Sequence, residues 1–256
     1  MNELNGIFAI WYREFKVFQR EKSRIVASVV NPILWLLILG GGLGANVSIA
    51  GINYQTYIFP GILVQSVLFS SVFFGVYIVW DRKIDFLKEV LVAPISRTSI
   101  FIGKIIGGAT DSLIQSIILL FLGIILAKVG VISGLHITVF AFIGSLIILF
   151  ITTTSMVSIG LIIGSRMESP EGFQFITSFL LFPIFFLSGA LFPINKLPVW
   201  LAPLTHLDPL TYSVDALRYV IFGTSQFQFM FNLGIIIGFS VLIIIAGTFA
   251  FEKMKV

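Results

Sequence analysis

The 256-residue chain contains no cysteine and only two histidines, His136 and His206. The first absence excludes disulfides, thiolate metal ligands and cysteine nucleophiles. The second leaves a multi-histidine metal site short of ligands. Charge is scarce too: 11% of residues are charged and 57% are hydrophobic, more apolar than a soluble domain of this length. The glycine run "GGGLG" at residues 40–44 is not followed by Gly-Lys-Ser/Thr, and Gly-x-Ser-x-Gly and His-Glu-x-x-His are both missing. The chain therefore carries no phosphate loop of its own and no familiar hydrolase signature, and its few scattered polar groups offer no acid, base and oxyanion set. We expect no catalytic, metal-binding or cofactor-binding residues.

What is present is a series of long apolar runs. About 20 apolar residues cross the hydrocarbon core as a helix. Six stretches qualify, near 25–45, 57–80, 105–127, 137–164, 172–193 and 229–251. Lipid supplies no hydrogen-bond partners for open strand edges, so the expected fold is an all-α integral membrane domain of six transmembrane helices spanning 1–256. Residues 1–24 are long, polar and charged, unlike a cleavable signal. Arg13, Lys16, Arg20, Lys22, Arg24, Arg82, Lys83, Lys88, Arg97, Lys104, Arg166, Lys253 and Lys255 fall on one side of these spans; only Lys128, Lys196 and Arg218 fall on the other. The positive-inside rule then places both termini in the cytoplasm of a cell with the chain in its inner or plasma membrane. The net charge of +4 is explained by that topology and not by nucleic acid.

Two segments on the basic side are amphipathic. At 100° per residue, Leu4, Ile7, Phe8, Ile10, Trp11, Phe15 and Phe18 gather opposite Arg13, Lys16, Arg20 and Arg24, which predicts an interfacial helix in the inner leaflet. Within 81–104, "DRKIDFLKEVLVAP" predicts a helix with Ile84, Phe86, Leu87, Val90 and Leu91 on one face and Asp81, Asp85, Lys88 and Glu89 on the other. Pro94 ends it, and Ser96 caps the helix that continues through Lys104. Ser169 caps the fifth span, with Pro170 in its first turn.

Four of the nine prolines lie between Pro193 and Pro209. Residues 194–228 therefore read as an outer re-entrant or interfacial segment of two short helices. Pro198 opens the first and Pro203 limits it; Asp208 caps the second, Pro209 begins it and Gly223 ends it. Trp200, Tyr212 and Tyr219 suit headgroup depth, and Asp215 and Arg218 are spaced to pair. Asp111, inside the third span, either faces a cavity or subunit interface or is a boundary residue paired with Lys104 or a neighbouring span. Thr152, Thr153, Thr154, Ser155 and Ser158 form a hydroxyl patch suited to close helix packing, or else to lining a route.

The segments "FLKEVLVAPISRTSIFIGK" (86–104) and "LSGALFPINKLPVWLAPLTHLDPLTYSVDALR" (187–218) resemble those of type-2 ABC exporter permeases, the drug-resistance and nodulation-factor-export group, and the resemblance runs nearly end to end. It implies a transmembrane subunit that moves an amphipathic, lipid-like or drug-like cargo, or a lipid-linked glycan, outward. It implies a separate ATPase subunit holding ATP and Mg, and a second permease chain, identical or not. Phe86, Leu87, Glu89, Val90, Pro94 and Arg97 would form the coupling element seated in the ATPase. Trp11, Arg13, Phe15 and Arg20 would belong to the interfacial helix beside it. Asp111, Trp200, Asp208, Tyr212, Asp215 and Arg218 would belong to the pathway or its outer cap. An ion-coupled or channel-type transporter and a lipid-modifying membrane enzyme are the alternative readings.

Overall fold

The computed structural model describes residues 3–44, 46–49 and 51–254, with the side chain of Leu91 outside that description; Lys255 also lies outside it. The protein is almost wholly helical. Among the described residues six helices are long and apolar enough to cross a membrane: Lys22–Gly44, Tyr54–Lys83, Arg97–Lys128, Val139–Arg166, Pro170–Leu187 and Phe229–Glu252. They are numbered below as the first to sixth spans. An amphipathic helix, Glu3–Arg20, precedes them. Spans two and four are the core, with 72% and 56% of the residues in their apolar stretch buried, against 17% in spans one and six. Their broad apolar faces fit a lipid environment.

Backbone contact sets the central crossing. The second span breaks between Tyr54–Phe73 and Val76–Lys83, and a Cβ at Gly75 would overlap the Gly160 carbonyl. Gly160 and Gly164 lie equally close to the backbones of Val72 and Gly75. Gly160-Leu-Ile-Ile-Gly164 is a small-residue pair one turn apart, the spacing that lets membrane helices touch. Beside it the hydroxyl patch acts in packing: Thr152 Oγ1 meets Ser213 Oγ at 2.9 Å and Thr154 Oγ1 meets Ser240 Oγ at 2.8 Å.

Several spans differ in extent from expectation. The second and third run on past the apolar stretches to Lys83 and from Arg97, because the charges at their ends find partners inside the protein. The fifth stops at Leu187, before Gly189 at φ 71°, a backbone region that suits glycine. The first runs through Pro32 to Leu34 and continues as a wide π-helical stretch, Trp35–Gly40. Gln55 Nε2 donates to the Leu36 carbonyl there at 3.3 Å. A two-residue antiparallel ladder, Ser48–Ile49 with Ile52–Asn53, joins the first and second spans.

Capping follows the sequence closely. Ser96, Ser169 and Asp208 accept from the backbone N–H groups of Ser99, Gly172 and Leu210. Gly223 closes helix Pro209–Phe222 at φ 72°. The segment before it differs: a 3₁₀ turn, Ile194–Lys196, precedes helix Ala202–Leu207. Pro203 lies in that helix's first turn, where its missing N–H costs nothing, so it begins the helix instead of limiting it.

The largest correction concerns residues 81–94. They do not form one helix. Asp81 belongs to the second span, Asp85 turns the chain at φ 58°, and only Phe86–Val92 makes the short helix beyond. Asp81 and Leu87 are both buried, yet six positions apart on a continuous helix they would point about 120° apart. The turn lets both enter the protein, and it leaves Ile84 outside, 66% exposed.

Candidate functional site

The basic end of the bundle is cross-linked by charge. Arg13 on helix Glu3–Arg20 donates to both Asp81 oxygens, at 2.6 Å and 3.2 Å, and to Glu14 Oε1 at 2.8 Å. Lys104 Nζ donates to Glu14 Oε1 and Asp81 Oδ2, each at 2.8 Å. Glu14, Asp81 and Lys104 are buried and Arg13 is half-buried. Burial opposes the Arg13 charge, but the two carboxylates overcome it and hold the guanidinium above its ordinary range. Asp81 is thus the hub of this cluster and not part of a solvated helix face. No sequence spacing announces it, since its members come from three elements.

Helix Glu3–Arg20 lies along the third span. A methyl group added at Gly103 or Gly107 would come within 2.8 Å of Ile10 Cβ and 2.7 Å of Glu14 Cβ. The apolar residues consequently divide between two neighbours. Gly6, Ile10 and Phe18 face the protein, while Leu4, Phe8 and Tyr12 are exposed. Trp11 Nε1 donates to Thr110 Oγ1 at 3.0 Å and stacks with Phe15, and Arg20 is exposed. Glu3 accepts from Ser99 and Ser96, which lower its pKa.

Helix Phe86–Val92 stands on this platform. Leu87 is buried in a cluster with Ile78, Ile100, Phe101 and Phe251, Val90 packs partly onto it, and the Phe86 ring lies 4.2 Å from the Arg13 guanidinium. Arg97 donates to the carbonyls of Glu252 and Met254 at 2.7 Å and 2.9 Å. Leu87 therefore seats the helix on its own chain, Arg97 ties the third span to the end of the sixth, and Ile84, Lys88, Glu89, Val92 and Pro94 form the exposed surface.

Between the first, second and fifth spans lies a cleft of about 320 Å³. Trp35, Phe69, Phe73 and Phe182 supply its aromatic walls, and Asn31, Gln65, Ser66 and Ser70 its polar groups. Gln65 Oε1 and Ser66 Oγ are buried without a hydrogen-bond partner in the protein. Arg24 closes the basic end of the cleft, donating to the Tyr77 hydroxyl, which in turn donates to Glu21. Asp111 is 1% exposed, and its nearest cation is Arg24 at 3.8 Å. Lys104 is not its partner, because that ammonium is taken by Glu14 and Asp81.

The far end is a fixed cap. Asp215 and Arg218 do not form a direct ion pair. Asp215 accepts from the N–H groups of Gln226 and Phe227 and from Asn232 Nδ2, at 2.8–3.0 Å. Arg218 donates to the Gly189 carbonyl at 2.7 Å and lies 4.1 Å from the Tyr57 ring centroid. Helix spacing permitted the pair, but stronger buried partners were available to each. Tyr212 is buried and donates to the His206 carbonyl at 2.8 Å, whereas Trp200 is 71% exposed. Asp208 is buried, which pushes its carboxyl up to about 7 against the opposing Leu210 N–H bond. Among the described residues no group of three or more His, Asp or Glu can hold a metal.

The family model described as ABC-2 type transporter matches residues 5–222. The chain is 27% identical to a transport permease, ycf38, of Cyanophora paradoxa over 98% of this chain and 89% of the relative. It is 24% identical to Nodulation protein J of Rhizobium leguminosarum bv. viciae over 89% and 86% of the two chains. Inner membrane transport permease YadH of Escherichia coli K12 is 25% identical over 91% and 89%.

Proposed function

Because the chain belongs to the ABC-2 type transporter family and is thereby a transmembrane subunit of an ABC transporter, we propose that it moves an amphipathic, lipid-like or drug-like cargo outward. A separate ATPase subunit, holding ATP and Mg, supplies the energy. The carrying observation is helix Phe86–Val92, a rigid knob anchored through Leu87 that leaves Ile84, Lys88, Glu89 and Val92 free for a partner. Short and bounded by a left-handed turn at Asp85, it transmits displacement without bending. Both termini lie on the cytoplasmic side of the inner or plasma membrane, in keeping with the lysine and arginine bias.

Cargo enters the cleft walled by Trp35, Phe69, Phe73 and Phe182. Aromatic walls with a few uncharged polar groups suit an amphipathic molecule, in line with the general make-up of ligand pockets. Guanidinium and carboxylates near Arg24 offset one another, so a strongly ionic cargo gains little there. A second permease chain completes the pathway by covering the open sides of the first and fifth spans. One observation favours a second reading, an ion-coupled carrier: Asp111 is buried with neither oxygen hydrogen-bonded. Reconstitution in liposomes with and without the ATPase decides between them, using a fluorescent amphiphile as probe. ATP-dependent movement supports the exporter, and movement driven by an ion gradient without the ATPase refutes it.

A further inference from the structure

Buried ion pairs are poor stabilisers, since desolvation offsets much of their attraction, but they fix geometry. The four-membered ring Arg13–Asp81–Lys104–Glu14 alternates in sign and sums to zero. Its members come from the interfacial helix, the end of the second span and the start of the third. Phe86, under the Arg13 guanidinium, brings in the coupling helix. Two further links extend the same plate. Arg82 donates to the carbonyls of Ser165 and Met167 at the end of the fourth span, both at 2.8 Å, and Arg97 ties the third span to the end of the sixth.

The first span is attached differently. It follows a non-helical residue, Glu21, and at this end it meets the plate through the polar trio Glu21, Arg24 and Tyr77 and through Arg24, which lies 3.8 Å from Asp111 of the third span. We infer that the Arg13–Asp81–Lys104–Glu14 ring is the joint that makes the coupling helix, interfacial helix and second and third spans one moving body, against which the first span turns at Glu21 to open or close the cleft. These four are positioning residues, and the inference rests on the exporter reading given above.

The lack of native cysteine allows clean labelling. Spin labels at Phe8→Cys with Phe121→Cys, and at Ile38→Cys with Phe121→Cys, report distances in the complex with its co-purifying ATPase in lipid nanodiscs. All three positions are exposed and lie off the face that meets the ATPase. On trapping with ATP and vanadate, the Phe8–Phe121 distance stays constant and the Ile38–Phe121 distance changes. In Asp81→Asn the Ile38–Phe121 change is lost while ATP hydrolysis continues. Lys104→Arg keeps it. The double variant Asp81→Asn/Lys104→Met, which leaves no unbalanced buried charge, also loses it, separating loss of linkage from misfolding. A full nucleotide response in either Asp81 variant overturns the role of the ring alone. No response in the parent complex overturns the exporter reading and the ring with it.

Discussion

Replacing Asp215 with alanine should loosen the far-end cap. The carboxylate is 1% exposed and accepts three hydrogen bonds, from the backbone N–H groups of Gln226 and Phe227 and from Asn232 Nδ2. Each stranded donor costs about 1–3 kcal/mol when it stays buried. Gln226 is exposed, so its N–H can recover water, whereas Asn232 is 0% exposed and cannot. Counting Asn232 in full and the two loop amides at the lower end gives a loss of roughly 3–5 kcal/mol. Asp215→Asn keeps one acceptor oxygen and should lose about half of that. Thermal unfolding in mild detergent measures the total, and hydrogen exchange at Gln226 and Phe227 locates it. An Asp215→Ala protein that unfolds with the parent and keeps those amides protected would refute the assignment of Asp215 as the clasp between helix Pro209–Phe222 and the sixth span.

Other outcomes follow from the same contacts. Gly160→Val and Gly75→Val should abolish the monodisperse bundle on size-exclusion chromatography, while Gly234→Ala, with nothing within 4 Å of the added atom, should not. Burial raises the Asp208 pKa from 3.8 to about 7, so the folded state binds its proton more tightly. Its contribution to stability is greatest below pH 4 and declines as pH rises towards 7. The melting temperature of Asp208→Asn, which retains a capping oxygen, should lack that decline. Gln65→Leu should change which amphiphile is transported, read as relative transport rates, without lowering the melting temperature, because Gln65 Oε1 has no partner to lose.

Local chemistry was readable along the chain, and long-range pairing was not. The six spans show themselves because each must be apolar over its whole length, and Ser96, Ser169, Asp208 and Gly223 act on backbone within a few residues. Asp81, Glu14 and Lys104 gave no such signal. Helical periodicity assigned Asp81 to a solvated face, since nothing local reveals a lysine 23 positions later and an arginine 68 positions earlier. The Gly160–Gly164 spacing was a usable signal for close helix contact, although it does not say which helix comes near. The cleft escaped notice for a related reason: Trp35, Phe69 and Phe182 belong to three spans and meet only once those spans are packed.

The most direct test of the central claim is affinity purification of the tagged chain with its lipids, followed by mass spectrometry and an ATPase assay, comparing the parent with Glu89→Arg and Val92→Asp. Both side chains are exposed, so neither substitution should alter the melting temperature. The account predicts that an ATP-hydrolysing subunit comes down with the parent and is lost from both variants. A chain that purifies alone, or whose ATPase partner is indifferent to the exposed face of helix Phe86–Val92, would contradict it.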